Sequence, residues 1–182
     1  SSAASDVYKR QDVKTLISIL KSLGTNIEYK KNNLYLHTNE IINHKASYDL
    51  VKKMRASFWV LAPLLAKKGY AEVSLPGGCA IGTRPVNLHL FALKKFGAKI
   101  KIKNGYIIAE AKNGLKGTNI TFPNVSVGAT ENAVLAAFHA SGKTILNNCA
   151  IEPEIKDLIK FLNKLGGKIT ILGRKILITG CK

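Results

Sequence analysis

Three stretches of the chain share one order of apolar and polar positions. Val13–Gly24 reads VKTLISILKSLG, Val86–Gly97 reads VNLHLFALKKFG and Ile155–Gly166 reads IKDLIKFLNKLG. In each, a branched apolar residue lies eleven positions before a glycine. Leu20, Leu93 and Leu162 fall four before that glycine, and Leu23, Phe96 and Leu165 one before it. This is helical spacing with a glycine stop, and it predicts helices over 13–23, 86–96 and 155–165. Ile27, Ile100 and Ile169 follow three after the glycine and open IEYKKNNLYLH, IKIKNGYIIAE and ITILGRKILIT. Each alternates, breaks at a short Asn/Gly turn and alternates again, the signature of a β-hairpin.

A second pair of segments repeats at the same offset. Arg55–Gly69 aligns with Gly128–Gly142, Ala56 on Ala129 and Gly69 on Gly142, 73 residues apart, as Gly24 is from Gly97. A constant offset across both sets marks an internal duplication. One unit is helix, hairpin, connecting strand, apolar helix, strand. Two units are nearly complete, and the third has its first helix and hairpin. Residues 56–66 and 129–140 are apolar nearly all round and must be buried on most sides. The helices at 13–23, 86–96 and 155–165 carry Lys on one face. The pattern predicts an α/β fold of about two and a half repeated β/α units, with sheets around internal helices and pseudo-three-fold symmetry. Residues 1–11 are small, polar and aperiodic; they read as a tag, linker or scar, leaving 12–182 as the folded part.

Composition changes this picture little. The 182 residues are 46% hydrophobic, too apolar for a disordered chain despite a net charge of +17. Of the 28 basic residues only Arg10, Arg55, Arg84 and Arg174 are Arg, and the Lys are scattered. Solvated Lys on polar faces accounts for such a pattern. The other reading is a positive field that gathers anions or binds nucleic acid non-specifically. Cys79, Cys149 and Cys181 have no regular spacing, which argues against a disulfide framework and for a reducing compartment. The longest strongly apolar run, Phe58–Ala66, is nine residues with Pro63 inside. A membrane span needs about 20. His37, His44, His89 and His139 lack metal-ligand spacing.

The least ordinary stretch is Leu75–His89, LPGGCAIGTRPVNLH. Its glycines let backbone N–H groups approach a ligand. Cys79 sits mid-loop with Arg84 and a helix start beside it. Positive charge and a helix dipole lower a thiol pKa, giving a nucleophile or a tuned acid; the alternative is a small Cys filling a turn. Arg55 and Arg84 lie at helix starts, where a cation opposes the dipole unless an anion shares the place. Val125–Thr130 opens the second apolar helix in the same form. Each Arg alone reads equally well as an ordinary cap or surface residue. Three such starts at repeat-related places point to a phosphate-bearing ligand. His89, one turn into its helix, reads first as a core or polar-face residue. Cys149 and Cys181 read as packing residues. Glu131, Glu152 and Glu154 lie near helix starts, where the dipole is reason enough for them.

LPGGCAIGTRPVNLH, with YDLVKKMRASFWVL before it and VSVGATEN and EPEI after it, resembles the UDP-N-acetylglucosamine 1-carboxyvinyltransferases. These are the enolpyruvyl transferases that open bacterial peptidoglycan synthesis. The resemblance implies a cytoplasmic two-domain enzyme with an inside-out α/β barrel in each domain, of which this chain holds a partial first domain. It implies transfer of the enolpyruvyl group of phosphoenolpyruvate to the 3′-hydroxyl of UDP-N-acetylglucosamine, with release of phosphate and no cofactor or metal. Cys79 would be the catalytic proton donor and the target of fosfomycin. Arg55 and Arg84 would hold phosphate and carboxylate groups. Pro85, Val86, Asn87, Leu88, Ser126, Val127 and Gly128 would hold the uridine diphosphate.

The sequence departs from the family pattern at Asn87, where Asp is usual, and at Asn124, where some members have Lys. A strand–helix with a Lys-Asn pair is expected before residue 12, completing the third unit. A second domain carrying an Asp and a further Arg is expected to supply the rest of the site. The 182 residues alone are therefore expected to be inactive. A non-catalytic basic binding module and an inactive truncated product are the other readings. A membrane is not an expected partner, and nucleic acid is disfavoured.

Overall fold

Helix stops and hairpin turns fall where the repeat places them, and they set the architecture. The computed structural model describes residues 11–31, 33–51, 55–75 and 86–181, and for 55–57 the backbone alone. The first unit runs α1 (Gln11–Ser22), β1 (Asn26–Lys30), β2 (Asn33–His37), β3 (Lys45–Ala46) and a short α2 (Tyr48–Val51). It continues through the 3-10 helix η1 (Arg55–Val60), α3 (Leu61–Lys68) and β4 (Tyr70–Ser74). The second runs α4 (Asn87–Lys95), β5 (Lys99–Lys103), β6 (Tyr106–Glu110), β7 (Asn119–Thr121), α5 (Val127–His139) and β8 (Lys143–Asn147). The third has α6 (Pro153–Lys164), β9 (Lys168–Leu172) and β10 (Lys175–Thr179). Gly24, Gly97 and Gly166 follow α1, α4 and α6 at φ +109°, +94° and +95°, a conformation that a Cβ opposes and that lets the chain leave the helix.

Two local differences have clear causes. The sequence predicts one helix over 56–66, but the chain forms η1 and then α3. Pro63 has no N–H to give to the Trp59 carbonyl and its ring crowds that carbonyl, so the α-helix starts only at Leu61, with Pro63 in its first turn. Gln11, assigned to the leading segment, opens α1, and its carbonyl accepts a hydrogen bond from the Thr15 hydroxyl at 2.9 Å.

Sheet topology shows how units join. One sheet has the order β3-β4-β6-β5 and another β7-β8-β10-β9. In each, a connecting strand lies parallel to the strand after the apolar helix, and the hairpin of the next unit adds antiparallel to it. Among the described residues β1 and β2 pair only with each other. The same repeat positions therefore differ in burial. Ile107 and Ala109 of β6 are 0% exposed, and Ile176 and Ile178 of β10 are 0% and 2% exposed. The counterpart of Ala109 and Ile178, Leu36 in β2, is 53% exposed.

The core lies between the sheets and the apolar helices. Leu61, Ala62, Leu64 and Leu65 of α3 are buried, as are Ala129, Ala133, Val134, Ala136, Ala137 and Phe138 of α5. These two helices pack on each other, and α4 and α6 pack on α5. A groove of about 830 Å³ lies between the first helix and the segment that runs from η1 into α3. Leu16, Leu20 and Leu23 of the first helix region form one wall, and Trp59, Pro63 and Leu64 the other.

Candidate functional site

The helix starts singled out in the sequence come together. α4 and α5 pack against each other, and η1 packs on α5. Val86 is buried and precedes α4, Asn87 is exposed as its first residue, and Leu88 packs against the core. Ser126 caps α5, its hydroxyl accepting from the Ala129 N–H at 3.3 Å. This satisfies one of the donors that a helix start leaves open. The Ser126 carbonyl accepts from the Thr130 hydroxyl at 2.8 Å, and Thr130 Oγ1 accepts from the Ala150 N–H at 3.1 Å. Val127 and Gly128 form the half-buried first turn. Arg55 is the first residue of η1. Cys79, Arg84 and Pro85, with the rest of residues 76–85, lie outside the described residues, as does the Arg55 side chain.

The remaining candidates have ordinary roles or sharper ones than the sequence suggests. Burial pushes the Cys149 thiol up to about 12, with a smaller opposing effect from the Thr130 hydroxyl, so this thiol is inert packing. Cys181 is half-buried. Glu152 precedes α6, its Oε2 accepting from the Ile151 N–H at 2.7 Å. Glu131 is different: burial, then the negative charge of Glu154, raise its carboxyl from 4.5 to about 7, and its Oε2 is buried without a hydrogen-bond partner among the described residues. Burial, then the Lys67 charge, lower the His139 pKa. No group of three or more His, Cys, Asp or Glu among the described residues could hold a metal ion.

His89 belongs to the core and to the site together. It is buried in the first turn of α4, and its Nδ1 accepts a hydrogen bond from Asn132 Nδ2 of α5 at 3.1 Å. Its ring meets Phe58 of η1 edge-on, with centroids 5.3 Å apart. Sequence reasoning did not find the Asn132 partner. The available signal was an amide inside an otherwise apolar helix, because a buried polar group requires a partner.

Internal helices covered by sheets and built from repeated units define the fold of an enolpyruvyl transferase domain. The enolpyruvyl transferase NikO from Streptomyces tendae superposes with a TM-score of 0.79 at 20% identity, over 92% of this chain and 40% of that one. An EPSP synthase from Acinetobacter baumannii gives 0.71 at 20% identity, over 93% and 39%. The sequence matches the EPSP synthase (3-phosphoshikimate 1-carboxyvinyltransferase) family over residues 1–182, and the chain belongs to that family. It is 58% identical to the UDP-N-acetylglucosamine 1-carboxyvinyltransferase of Pelagibacter ubique, over 87% of this chain and 38% of the relative. The enzyme of the same name from Campylobacter fetus is 53% identical over 89% of this chain and 39% of its own length. The chain thus spans about two fifths of the length of these relatives. No helix among the described residues is long and apolar enough to cross a membrane.

Proposed function

We propose that these residues are part of a UDP-N-acetylglucosamine 1-carboxyvinyltransferase. The enzyme joins the 3′-oxygen of UDP-N-acetylglucosamine to C2 of phosphoenolpyruvate and releases phosphate, in the cytoplasm, for peptidoglycan synthesis. The observation that carries this reading is the joint presence of the Cys loop and the packed starts of η1, α4 and α5 in a chain 58% identical to a relative of that name. Both substrates are polyanions, and helix N-termini with Arg are suited to receive them. In this reading the 3′-hydroxyl loses its proton to the Asp expected in the second domain as its oxygen bonds C2, and Cys79 gives a proton to the methylene carbon. The C2–O bond to phosphate then breaks, phosphate leaves with the electron pair, and the methyl carbon gives up a proton to a base of the site as the C=C bond re-forms. Arg55 and Arg84 neutralise substrate charge. Pro85–Leu88 and Ser126–Gly128 hold the nucleotide, with Asn87 donating or accepting where a carboxylate would only accept.

The apolar groove and the β1–β2 hairpin, which pairs with no further strand among the described residues, support completion of the third unit by a helix and strand of the same polypeptide. A second domain would then close the site from the other side. The test is phosphate release by a full-length polypeptide carrying these residues. Release should require both substrates, and Cys79→Ser should lower turnover at least about a hundredfold, as loss of a positioned general acid does. Turnover and fosfomycin sensitivity that survive Cys79→Ser would remove the role given to that thiol. Salt-dependent nucleic-acid binding that the sugar nucleotide does not compete would favour a binding module instead.

A further inference from the structure

One buried imidazole of α4 also touches η1 and α5, so it links three of the segments that carry proposed substrate contacts. His89 is 4% exposed and lies two residues after Asn87 in α4. Asn132 is 1% exposed and lies one turn after Gly128 in α5. With the Asn132 amide nitrogen donating, His89 Nδ1 is the acceptor and the neutral ring carries its proton on Nε2. On another side the ring meets Phe58, three residues beyond Arg55 in η1, at an interplanar angle of 87°. On a third it fills the place of a side chain at 128: a Cβ on Gly128 would stand 3.2 Å from Cε1 and 3.3 Å from Nε2.

Stability does not require this pair. Replacing both partners of a buried hydrogen bond by apolar groups of the same shape can be nearly neutral. Here Asn132 Oδ1 is also buried without a hydrogen-bond partner among the described residues, an arrangement that costs stability. A directional bond does what apolar packing cannot, since it admits one rotation of α4 against α5.

We propose that His89, with Asn132, is a positioning group that fixes the starts of η1, α4 and α5 relative to one another, so that Val86–Leu88 and Ser126–Gly128 meet one diphosphate-bearing ligand together. This rests on the reading of the site given above. In a full-length polypeptide, UDP-N-acetylglucosamine affinity, KM for each substrate, kcat and Tm are compared for His89→Phe, Asn132→Leu, the double variant and His89→Asn. Each single variant is expected to weaken nucleotide binding about tenfold, a misplacement effect, and to leave the phosphoenolpyruvate KM within about threefold. The double variant should be no worse than the worse single, because the two changes remove one interaction. His89→Asn, which keeps a hydrogen-bonding group near the Nδ1 position, should recover part of the affinity. A lowered Tm with nucleotide affinity unchanged overturns the proposal and leaves the pair as packing. If His89→Phe does not fold, Asn132→Leu and His89→Asn decide in the same way. Wild-type protein that does not bind the nucleotide overturns the site reading as well, whereas wild-type and variants binding alike overturn this inference alone.

Discussion

Glu131 and Cys149 show what burial does to a single titratable group. The Glu131 carboxyl holds its proton to about pH 7, first because it is buried and second because Glu154 is near. Its folded pKa lies above the usual 4.5, so below that value the group costs nothing. As pH rises from 4.5 towards 7, the unfolded chain releases the proton and the folded chain keeps it, so stability falls through that window and levels off above it. Glu131→Gln should therefore raise Tm at pH 8 and change it little at pH 4, which thermal melts at the two pH values measure. For Cys149 the raised pKa means almost no thiolate near neutrality. Alkylation followed by peptide mapping should find Cys149 unmodified in native protein at pH 8 and modified after unfolding. Fast native labelling would contradict its burial.

At the scale of the element, the start of α5 is held by its own side chains. Ser126 accepts from the Ala129 N–H, and Thr130 links the Ser126 carbonyl to the Ala150 N–H. Ser126→Ala should cost about 1 kcal/mol, the usual loss for a cap, read as a lower denaturant midpoint with an unchanged slope. If this turn holds the nucleotide as proposed, the larger expected effect is on nucleotide affinity, because a frayed first turn no longer aims its N–H groups. Pro63 acts on α3 in the opposite sense, since it sets where the α-helix begins.

The whole molecule is organised by succession: each hairpin completes the sheet of the unit before it. The β1–β2 hairpin has no such neighbour among the described residues, and Leu36 stays exposed where Ala109 and Ile178 are covered. Burying a Leu side chain fully is worth about 1.5–3 kcal/mol. The 182 residues should therefore show fast amide exchange across β1 and β2 and slow exchange across β4, β6, β8 and β10. They should also bind an apolar dye at the groove. On the proposed reading, in which a longer polypeptide completes the third unit, that polypeptide should slow the first and abolish the second. Equal protection in all hairpins of the 182 residues would overturn that reading of the groove.

The repeat was legible in the sequence because helix and hairpin are local. The 3.6-residue and two-residue periods, the glycine stops and the 73-residue offset are written in side-chain polarity alone. From them follow the elements and the internal helices, while the Cys loop carries the resemblance to the family. Only the tertiary structure decided what meets across units. That His89 lies against Asn132, Phe58 and Gly128, residues from 31 to 43 positions away, depends on the packing of three helices. No local pattern encodes such a distance. The same holds for Glu131, whose altered acidity comes from desolvation by the fold and from a carboxylate on the next helix.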